Sequence, residues 1–227
     1  MRVIGGTCRG RPLRAPAGTR TRPTSDRVRE AIFDILGSQL ELDGLRVLDL
    51  FAGSGALGIE ALSRGATGAV FVDRAPDAVA TVRANLQALD LAGRGRVVRA
   101  EVLGWLERRA EPAGPMAGEA GFDLAFCDPP YDFEQWPALL GRLPAPLAVL
   151  ESSRPVPLGP RWEVVREKRY GGTLVTVASQ APSGAATQPA STQPASTEPT
   201  STGPAPTGPA PTGPTSTGAS PTRKAPR

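Results

Sequence analysis

The sequence predicts an α/β protein built on a doubly wound, mainly parallel β-sheet. From Leu45 onward, short apolar segments typical of buried strands alternate with segments whose apolar residues have helical spacing. Strands that are almost entirely apolar favour a parallel sheet, because helices cover both of its faces. Near the end, the adjoining segments WEVVREK and TLVTVAS predict an antiparallel strand pair that closes the sheet.

The other elements follow from apolar runs, helical spacing and stop signals. The predicted strands are, in order, LRVLDL, AVFVD, RVVRA, FDLAFC and LAVLE, preceded by a short strand pair at RVIGG and RPLRA. The predicted helices are one capped by Thr24 or Ser25 and stopped by Gly37, then GALGIEALSR, and then 76–90, 103–109 and 136–143.

Composition divides the chain into three parts. A small basic N-terminal arm (1–24) precedes the α/β domain (25–180), and a tail (181–227) follows it. The tail consists mainly of Ala, Pro, Thr, Ser and Gly, and it lacks aliphatic residues larger than Ala as well as aromatic residues. Because such a segment has no apolar surface to bury, we expect it to be disordered.

Positive charge is concentrated near the N-terminus. Residues 1–30 hold eight Arg against Asp26 and Glu30, whereas residues 31–180 carry more acidic than basic residues. A basic arm on an acidic body indicates a polyanionic partner, and the alternative is a solvated arm in an Arg-rich protein. The candidate nucleic-acid contacts are Arg9, Arg11, Arg14, Arg20 and Arg22.

Several kinds of chemistry and location are excluded by composition. The chain contains no His, and Cys8 and Cys127 are far apart, so His bases, Cys–His pairs and His-ligated metals are excluded. We therefore expect no metal. The N-terminus lacks a signal peptide, and no run of 18 apolar residues exists, so we expect a soluble cytoplasmic protein without a membrane partner.

A glycine loop lies between the first predicted strand of the domain and the helix that follows. Gly53-Ser54-Gly55-Ala56-Leu57-Gly58 fits the dinucleotide pattern G-x-G-x-x-G, and Asp73 follows at about the expected 20 residues. An NAD-dependent oxidoreductase is therefore one interpretation. Asp73 can accept hydrogen bonds from both hydroxyls of a ribose, which a dinucleotide and S-adenosylmethionine share.

Asp49, just before the glycine loop, favours the second cofactor. Its carboxylate would face the pyrophosphate of a dinucleotide, but it suits the cationic amino group and sulfonium of S-adenosylmethionine. Glu101, just past the third predicted strand of the domain, is placed near the adenine end of such a ligand. The alternatives are a surface turn for Asp49 and a helix-capping role for Glu101.

The tetrapeptide Asp128-Pro129-Pro130-Tyr131 follows the strand FDLAFC, at the sheet edge where ligands bind. The Asp128 carboxylate and the Pro129 carbonyl can each accept one N–H of an exocyclic base amine, which would orient its lone pair. Tyr131 offers a ring on which an extruded base can stack. The alternative is an ordinary Pro-rich turn.

Several long segments resemble the bacterial 16S rRNA guanine-N2 methyltransferases of the RsmD type. They are RPTSDRVREAIFDIL, VLDLFAGSGALGIEALSRGA and FDLAFCDPPY, supported by MRVIGGTCRGRPL, LESS and REKRYGGT, so the resemblance covers residues 1–180. It implies a class I methyltransferase (Rossmann-like) fold, S-adenosylmethionine as methyl donor, and a guanine of 16S rRNA or of the small ribosomal subunit as acceptor.

The resemblance also assigns roles by position. It places Asp49, Gly53 and Gly55 in the cofactor loop, Asp73 at the ribose, and Asp128 with Tyr131 at the target amine. Glu101 stands where such enzymes usually have Asp. Two other functions remain open from the residues, namely the NAD-dependent oxidoreductase and a non-catalytic rRNA-binding assembly factor on the same scaffold.

Overall fold

The computed structural model describes residues 1–17, 26–110 and 121–181. Contacts divide the chain into two units, Met1–Gly184 and Ala185–Arg227, and the second unit lies outside the described residues. The predicted helix caps Thr24 and Ser25 and the candidate contacts Arg20 and Arg22 also lie outside them, as does the predicted tail from residue 182.

The described residues form a seven-stranded sheet with the order β3-β2-β1-β4-β5-β7-β6. The strands are β1 (Arg46–Leu50), β2 (Gly68–Asp73), β3 (Gly95–Arg99), β4 (Leu124–Cys127), β5 (Leu147–Ser152), β6 (Trp162–Tyr170) and β7 (Thr173–Gln180). Strands β1 to β5 pair in parallel, and β7 runs antiparallel to both β5 and β6. The predicted fold class is confirmed, including the closing antiparallel pair.

Helices cover both faces of this sheet. Within the described ranges they are α1 (Asp26–Gly37), α2 (Ala56–Ser63), α3 (Pro76–Ala88), α4 (Val102–Ala110) and α5 (Trp136–Arg142), with a short 3-10 helix at Ala92–Arg94. One buried cluster joins α1, α2 and α3 to the sheet, and a second joins α4 and α5 to the other face. Successive strand residues point to opposite faces, so Val47 belongs to the first cluster and Leu48 to the second. None of the described helices has the length and apolar character needed to cross a membrane.

The N-terminal arm differs from its prediction. Instead of a strand pair, residues 1–17 contain a single antiparallel bridge between Arg2 and Pro12. The chain reverses through Gly6 and Gly10, both with positive φ, so the two segments run side by side too briefly for a ladder to extend. The Val3 N–H still donates to the Arg11 carbonyl at 3.0 Å, which holds the arm closed.

A buried carboxylate fixes this arm to the helices. Glu60 of α2 is fully buried, and its oxygens accept the backbone N–H groups of Ile4 at 2.8 Å and Gly5 at 2.7 Å. Two guanidinium groups balance its charge: Arg64 Nε lies 2.8 Å from Oε1, and the buried Arg29 Nε lies 3.7 Å from Oε2. Glu60 therefore joins the arm, α1 and α2 through one side chain.

Removal of this carboxylate should be costly. We expect Glu60→Ala to lower the free energy of unfolding by about 3–5 kcal/mol. The change leaves two backbone donors without their acceptor, and it removes one of the two carboxylates that balance the buried Arg29 charge, the other being Asp26. Urea denaturation followed by circular dichroism measures the change. The control is Glu30→Ala at an exposed position of α1, which should stay within about 0.5 kcal/mol of the wild type. Equal stabilities for the two variants would contradict this role of Glu60.

Candidate active site

A cavity of about 600 Å³ lies at the carboxyl ends of the parallel strands. This is the edge at which open α/β sheets bind ligands, and the volume lies within the usual range of small-molecule sites. Most of the predicted site residues line it together, namely Asp49, Gly53, Asp73, Glu101, Asp128, Pro129 and Tyr131. The arm contributes Met1, Ala15 and Pro16 to the same wall.

Asp49 is buried beneath the first turn of α2. Its Oδ2 atom accepts the backbone N–H of Gly58 at 2.9 Å. This approach requires glycine, because a Cβ at position 58 would lie 2.4 Å from Cε1 of Phe71 and 3.0 Å from the Asp49 Oδ2 atom itself. The third glycine of the loop therefore allows α2 to pack directly on β1 and β2.

The environment of Asp49 disfavours its negative charge. Burial raises the pKa of Asp49 well above its usual range, and the nearby carboxylates of Asp128 and Asp73 raise it further. The hydrogen bond from Gly58 opposes this shift without cancelling it. A cationic group in the cavity would stabilise the ionised form, so the site is suited to a positively charged ligand.

Asp73 connects the glycine loop to the end of β2. Its Oδ2 accepts the N–H of Gly53 at 2.9 Å, and its Oδ1 accepts the N–H of Ala75 at 2.8 Å. Each carboxylate oxygen has a second lone pair, so Asp73 can also accept hydrogen bonds from hydroxyl groups in the cavity. Gly55, with a φ of 75°, precedes α2, and a Cβ there would lie 3.1 Å from Val82.

Glu101 has a definite structural partner. Its carboxylate accepts the N–H groups of Leu103 at 3.1 Å and Gly104 at 2.7 Å, in the first turn of α4. The helix-capping interpretation is therefore confirmed. Glu101 also lines the cavity, so its contact with an adenine stays a prediction.

The DPPY loop (128–135) forms the opposite wall of the cavity. Asp128 is half-buried and Pro129 is buried, whereas Tyr131 is 56% exposed. The Phe133 N–H donates to the Pro130 carbonyl at 2.9 Å, which closes the turn. The loop therefore holds its acid at the cavity wall and presents an aromatic ring to solvent.

An aromatic chain that the sequence analysis missed connects the two loops. The rings of Phe51 and Phe133 meet edge to face with centroids 5.3 Å apart, and Phe133 meets Trp136 in the same way, also at 5.3 Å. Phe51 has a φ of 58°, which is uncommon for a bulky residue and marks the turn before the glycine loop. The sequence feature that could have indicated this contact is Phe51, the aromatic residue directly after VLDL.

Asn85 of α3 was also missed. This buried amide accepts the Arg14 N–H at 2.9 Å and donates to the Arg14 carbonyl at 3.0 Å. It also donates to the Ser54 carbonyl at 2.9 Å, so one side chain holds the arm beside the glycine loop. A single Asn in a helix gives no local sequence signal for such a contact.

Cys127 does not offer a nucleophile at this site. Burial raises the pKa of its thiol far above the ordinary range, and the carboxylates of Asp49 and Asp128 raise it further. Since only the thiolate is strongly nucleophilic, Cys127 acts as a small apolar side chain. Within the described residues, no group of three or more Cys, Asp and Glu side chains is arranged to hold a metal ion.

The described arginines of the arm lie outside the cavity wall. Arg9 and Arg14 are exposed. Arg11 forms an ion pair with Asp90 at 3.3 Å and donates to the Ala88 carbonyl at the end of α3. Arg11 thus contacts the end of α3, through an ion pair that is exposed and therefore weak. The nucleic-acid contacts predicted for Arg9, Arg11 and Arg14 stay predictions.

The raised pKa of Asp49 gives a stability prediction with a definite sign. A folded-state pKa above the unfolded value makes the wild type lose stability as pH rises past about 4. Asp49→Asn removes this charge, and its amide oxygen can still accept the Gly58 N–H. We therefore expect the variant to melt at a higher temperature than the wild type at pH about 8. This advantage should vanish near pH about 3, where both side chains are neutral. A lower melting temperature of the variant than of the wild type at pH about 8 would show that the Asp49 charge does not destabilise the fold.

Comparison with known proteins agrees with the geometry. A family model described as Conserved hypothetical protein 95 matches residues 1–179. The YlbH protein of Bacillus subtilis (strain 168) is 49% identical over 140 residues, which cover 62% of this chain and 72% of that protein. Ribosomal RNA small subunit methyltransferase D of Escherichia coli (strain K12) is 40% identical over 131 residues, covering 58% and 60% respectively. The solved structure of yhhF from Escherichia coli has a TM-score of 0.67 at 32% identity, covering 79% of this chain and 97% of that chain. The chain therefore belongs to the Conserved hypothetical protein 95 family, the RsmD-type methyltransferases.

Proposed function

We propose that this chain transfers a methyl group from S-adenosylmethionine to the exocyclic N2 amine of a guanine in 16S rRNA. One observation carries the proposal: a single cavity is shared by the glycine loop, with its buried Asp49, and by the DPPY loop, with Asp128 at its wall. The Escherichia coli relative named as a small-subunit rRNA methyltransferase supports the choice of RNA.

The carboxylates of the cavity fit this cofactor. Asp49 is available to a cationic amino group or sulfonium, Asp73 to the ribose hydroxyls, and Glu101 to the adenine end. A dinucleotide would instead bring two phosphates to a wall that holds the Asp73 and Glu101 carboxylates, which is a repulsive arrangement, and it would offer Asp49 no positive charge. The cavity therefore favours S-adenosylmethionine over NAD.

The DPPY loop can prepare an amine for attack. S-adenosylmethionine supplies an electrophilic methyl group, so the N–C bond forms as the S–C bond breaks. Asp128 and the Pro129 carbonyl each accept one N–H of the target amine, which aims its lone pair and stabilises its growing positive charge. The methylated nitrogen then loses one proton, which Asp128 is positioned to accept. No cysteine adduct is needed, in keeping with the burial that raises the pKa of the Cys127 thiol.

The remaining assignments concern the RNA and the rest of the chain. Arg9 and Arg14 have exposed side chains for phosphate contact, as the predicted contribution of the arm (1–24) requires.

We further propose that the predicted domain (25–180) carries the chemistry without the tail (181–227). The proposal of an rRNA substrate includes a location in the bacterial cytoplasm.

Replacement of Asp128 tests the catalytic role. Asp128→Ala should lower the single-turnover rate of methyl transfer to small ribosomal subunits by roughly 10²–10³, by analogy with loss of one preorganised group at a developing charge. Affinity for S-adenosylhomocysteine, measured by calorimetry, should change little because Asp128 contacts the acceptor.

Asp132 provides the matched control for Asp128. It carries the same charge in the same loop and is exposed, so Asp132→Ala should cost less than tenfold in rate. Melting temperatures of both variants show whether each is folded. A folded Asp128→Ala protein with a rate near that of the wild type would overturn its catalytic role.

Tyr131 should act through its ring. Tyr131→Ala should weaken engagement of the target by roughly 1–3 kcal/mol, because it removes a stacking surface for the base. Tyr131→Phe should be mild, since only a hydroxyl with a long 3.4 Å contact to Thr173 Oγ1 is lost. The KM for the RNA substrate reports both changes. A Phe variant as impaired as the Ala variant would show that the hydroxyl, and not the ring, is required.

A further inference from the structure

We propose that the turn between β6 and β7 carries a phosphate-binding surface for the RNA strand that flanks the target base. The surface consists of Tyr131, Arg154, Arg169 and Thr173, and we call it the turn surface. The inference rests on the proposed function, because it assumes that the polyanion presented to the cavity is RNA.

Sheet topology brings this turn to the active-site edge. Strand β7 is antiparallel to both of its neighbours, so β6 runs in the same direction as β5 and the other parallel strands. The carboxyl end of β6, with Arg169 and Tyr170, therefore lies at the edge that holds the cavity. Arg161, which precedes β6, lies at the opposite edge.

One direct contact connects the turn to the DPPY loop. The Tyr131 hydroxyl lies 3.4 Å from the Thr173 Oγ1 atom, and Thr173 pairs with Tyr170 across the turn. A base that stacks on the exposed Tyr131 ring would thus have its neighbouring phosphates beside the turn.

Two guanidinium groups are held at this place. Arg169 Nη1 donates to the Ser153 carbonyl at 3.1 Å, and because this acceptor is neutral, the contact orients the arginine without cancelling its charge. Arg154 Nη2 lies 3.3 Å from the Glu134 Oε1 atom, in a pair whose side chains are 63% and 79% exposed. Exposed pairs of this kind are weak, so a phosphate can replace the carboxylate.

The charge of the cavity explains why such a surface is needed. Asp73, Glu101 and Asp128 line the cavity and repel a polyanion that approaches it. Attraction for the RNA must then come from cations outside the cavity, and arginine is suited to phosphate through its fork of N–H donors. Arg169 and Arg154 meet this requirement on the side of the target base.

Arg169→Gln tests the surface against a matched control. Arg161→Gln removes an exposed arginine whose Nη1 likewise donates to a backbone carbonyl, that of Gly141 at 3.0 Å, but at the opposite edge of the sheet. The probe is a fluorescently labelled 16S rRNA fragment, titrated with S-adenosylhomocysteine present over a range of salt concentrations. Methyl transfer to small ribosomal subunits supplies KM and kcat.

We expect Arg169→Gln to weaken RNA binding about fivefold at about 0.1 M salt and to flatten the salt slope by about 0.7, the values for one single-strand phosphate contact. KM should rise with little change in kcat. Arg161→Gln should match the wild type, and Arg169→Lys should retain the slope because it retains the charge.

The outcomes separate this inference from the proposed function. If the wild type methylates its RNA but Arg169→Gln equals Arg161→Gln in slope and KM, the turn surface is wrong and the function stands. If the wild type transfers no methyl group, the proposed function is wrong. In that case, loss of RNA binding confined to Arg169→Gln would still support the turn surface, and binding equal to that of Arg161→Gln would overturn it.

Discussion

A buried carboxylate near the end of β1 determines the arrangement of the active site. Asp49 accepts the Gly58 N–H, and this contact fixes how closely the first turn of α2 packs on the sheet. The glycine loop then connects β1 to α2 beside the end of β2, where Asp73 accepts the Gly53 N–H. The arrangement opposes ionisation of Asp49, so it costs folding energy at neutral pH. A cationic ligand would offset this cost, because it stabilises the ionised Asp49 carboxylate.

The elements that stabilise the fold also shape the cavity. Glu60 joins the N-terminal arm to α1 and α2, and Asn85 joins the same arm to the glycine loop. Because the arm is held at both places, Met1 and Pro16 can form part of the cavity wall. On the opposite side, the ring contact between Phe51 and Phe133 couples the glycine loop to the DPPY loop. Changes in the packing of the arm should therefore affect the glycine loop directly and the DPPY loop only through the Phe51–Phe133 contact.

Local sequence patterns predicted most of the fold, whereas they did not predict the contacts between segments that are distant in the sequence. Apolar runs and glycine signals identified the strands, the helices and the residues at the strand ends. Strand β7 lies between β5 and β6, so the connection from β5 to β6 must skip one strand position. No local sequence pattern predicts this order. The same holds for the Asn85 clamp and for the single bridge that replaces the predicted strand pair in the arm. Glu101 shows a further limit, because one carboxylate can cap α4 and also face a ligand.

We propose that this glycine loop, despite its dinucleotide pattern, binds a cationic cofactor. Calorimetric titration of the full chain with S-adenosylmethionine and, separately, with NAD under the same conditions tests this proposal. We expect saturable binding of S-adenosylmethionine with one site per chain and no measurable binding of NAD, because the carboxylates at the loop repel a pyrophosphate. Binding of NAD as tight as that of S-adenosylmethionine, or tighter, would contradict it.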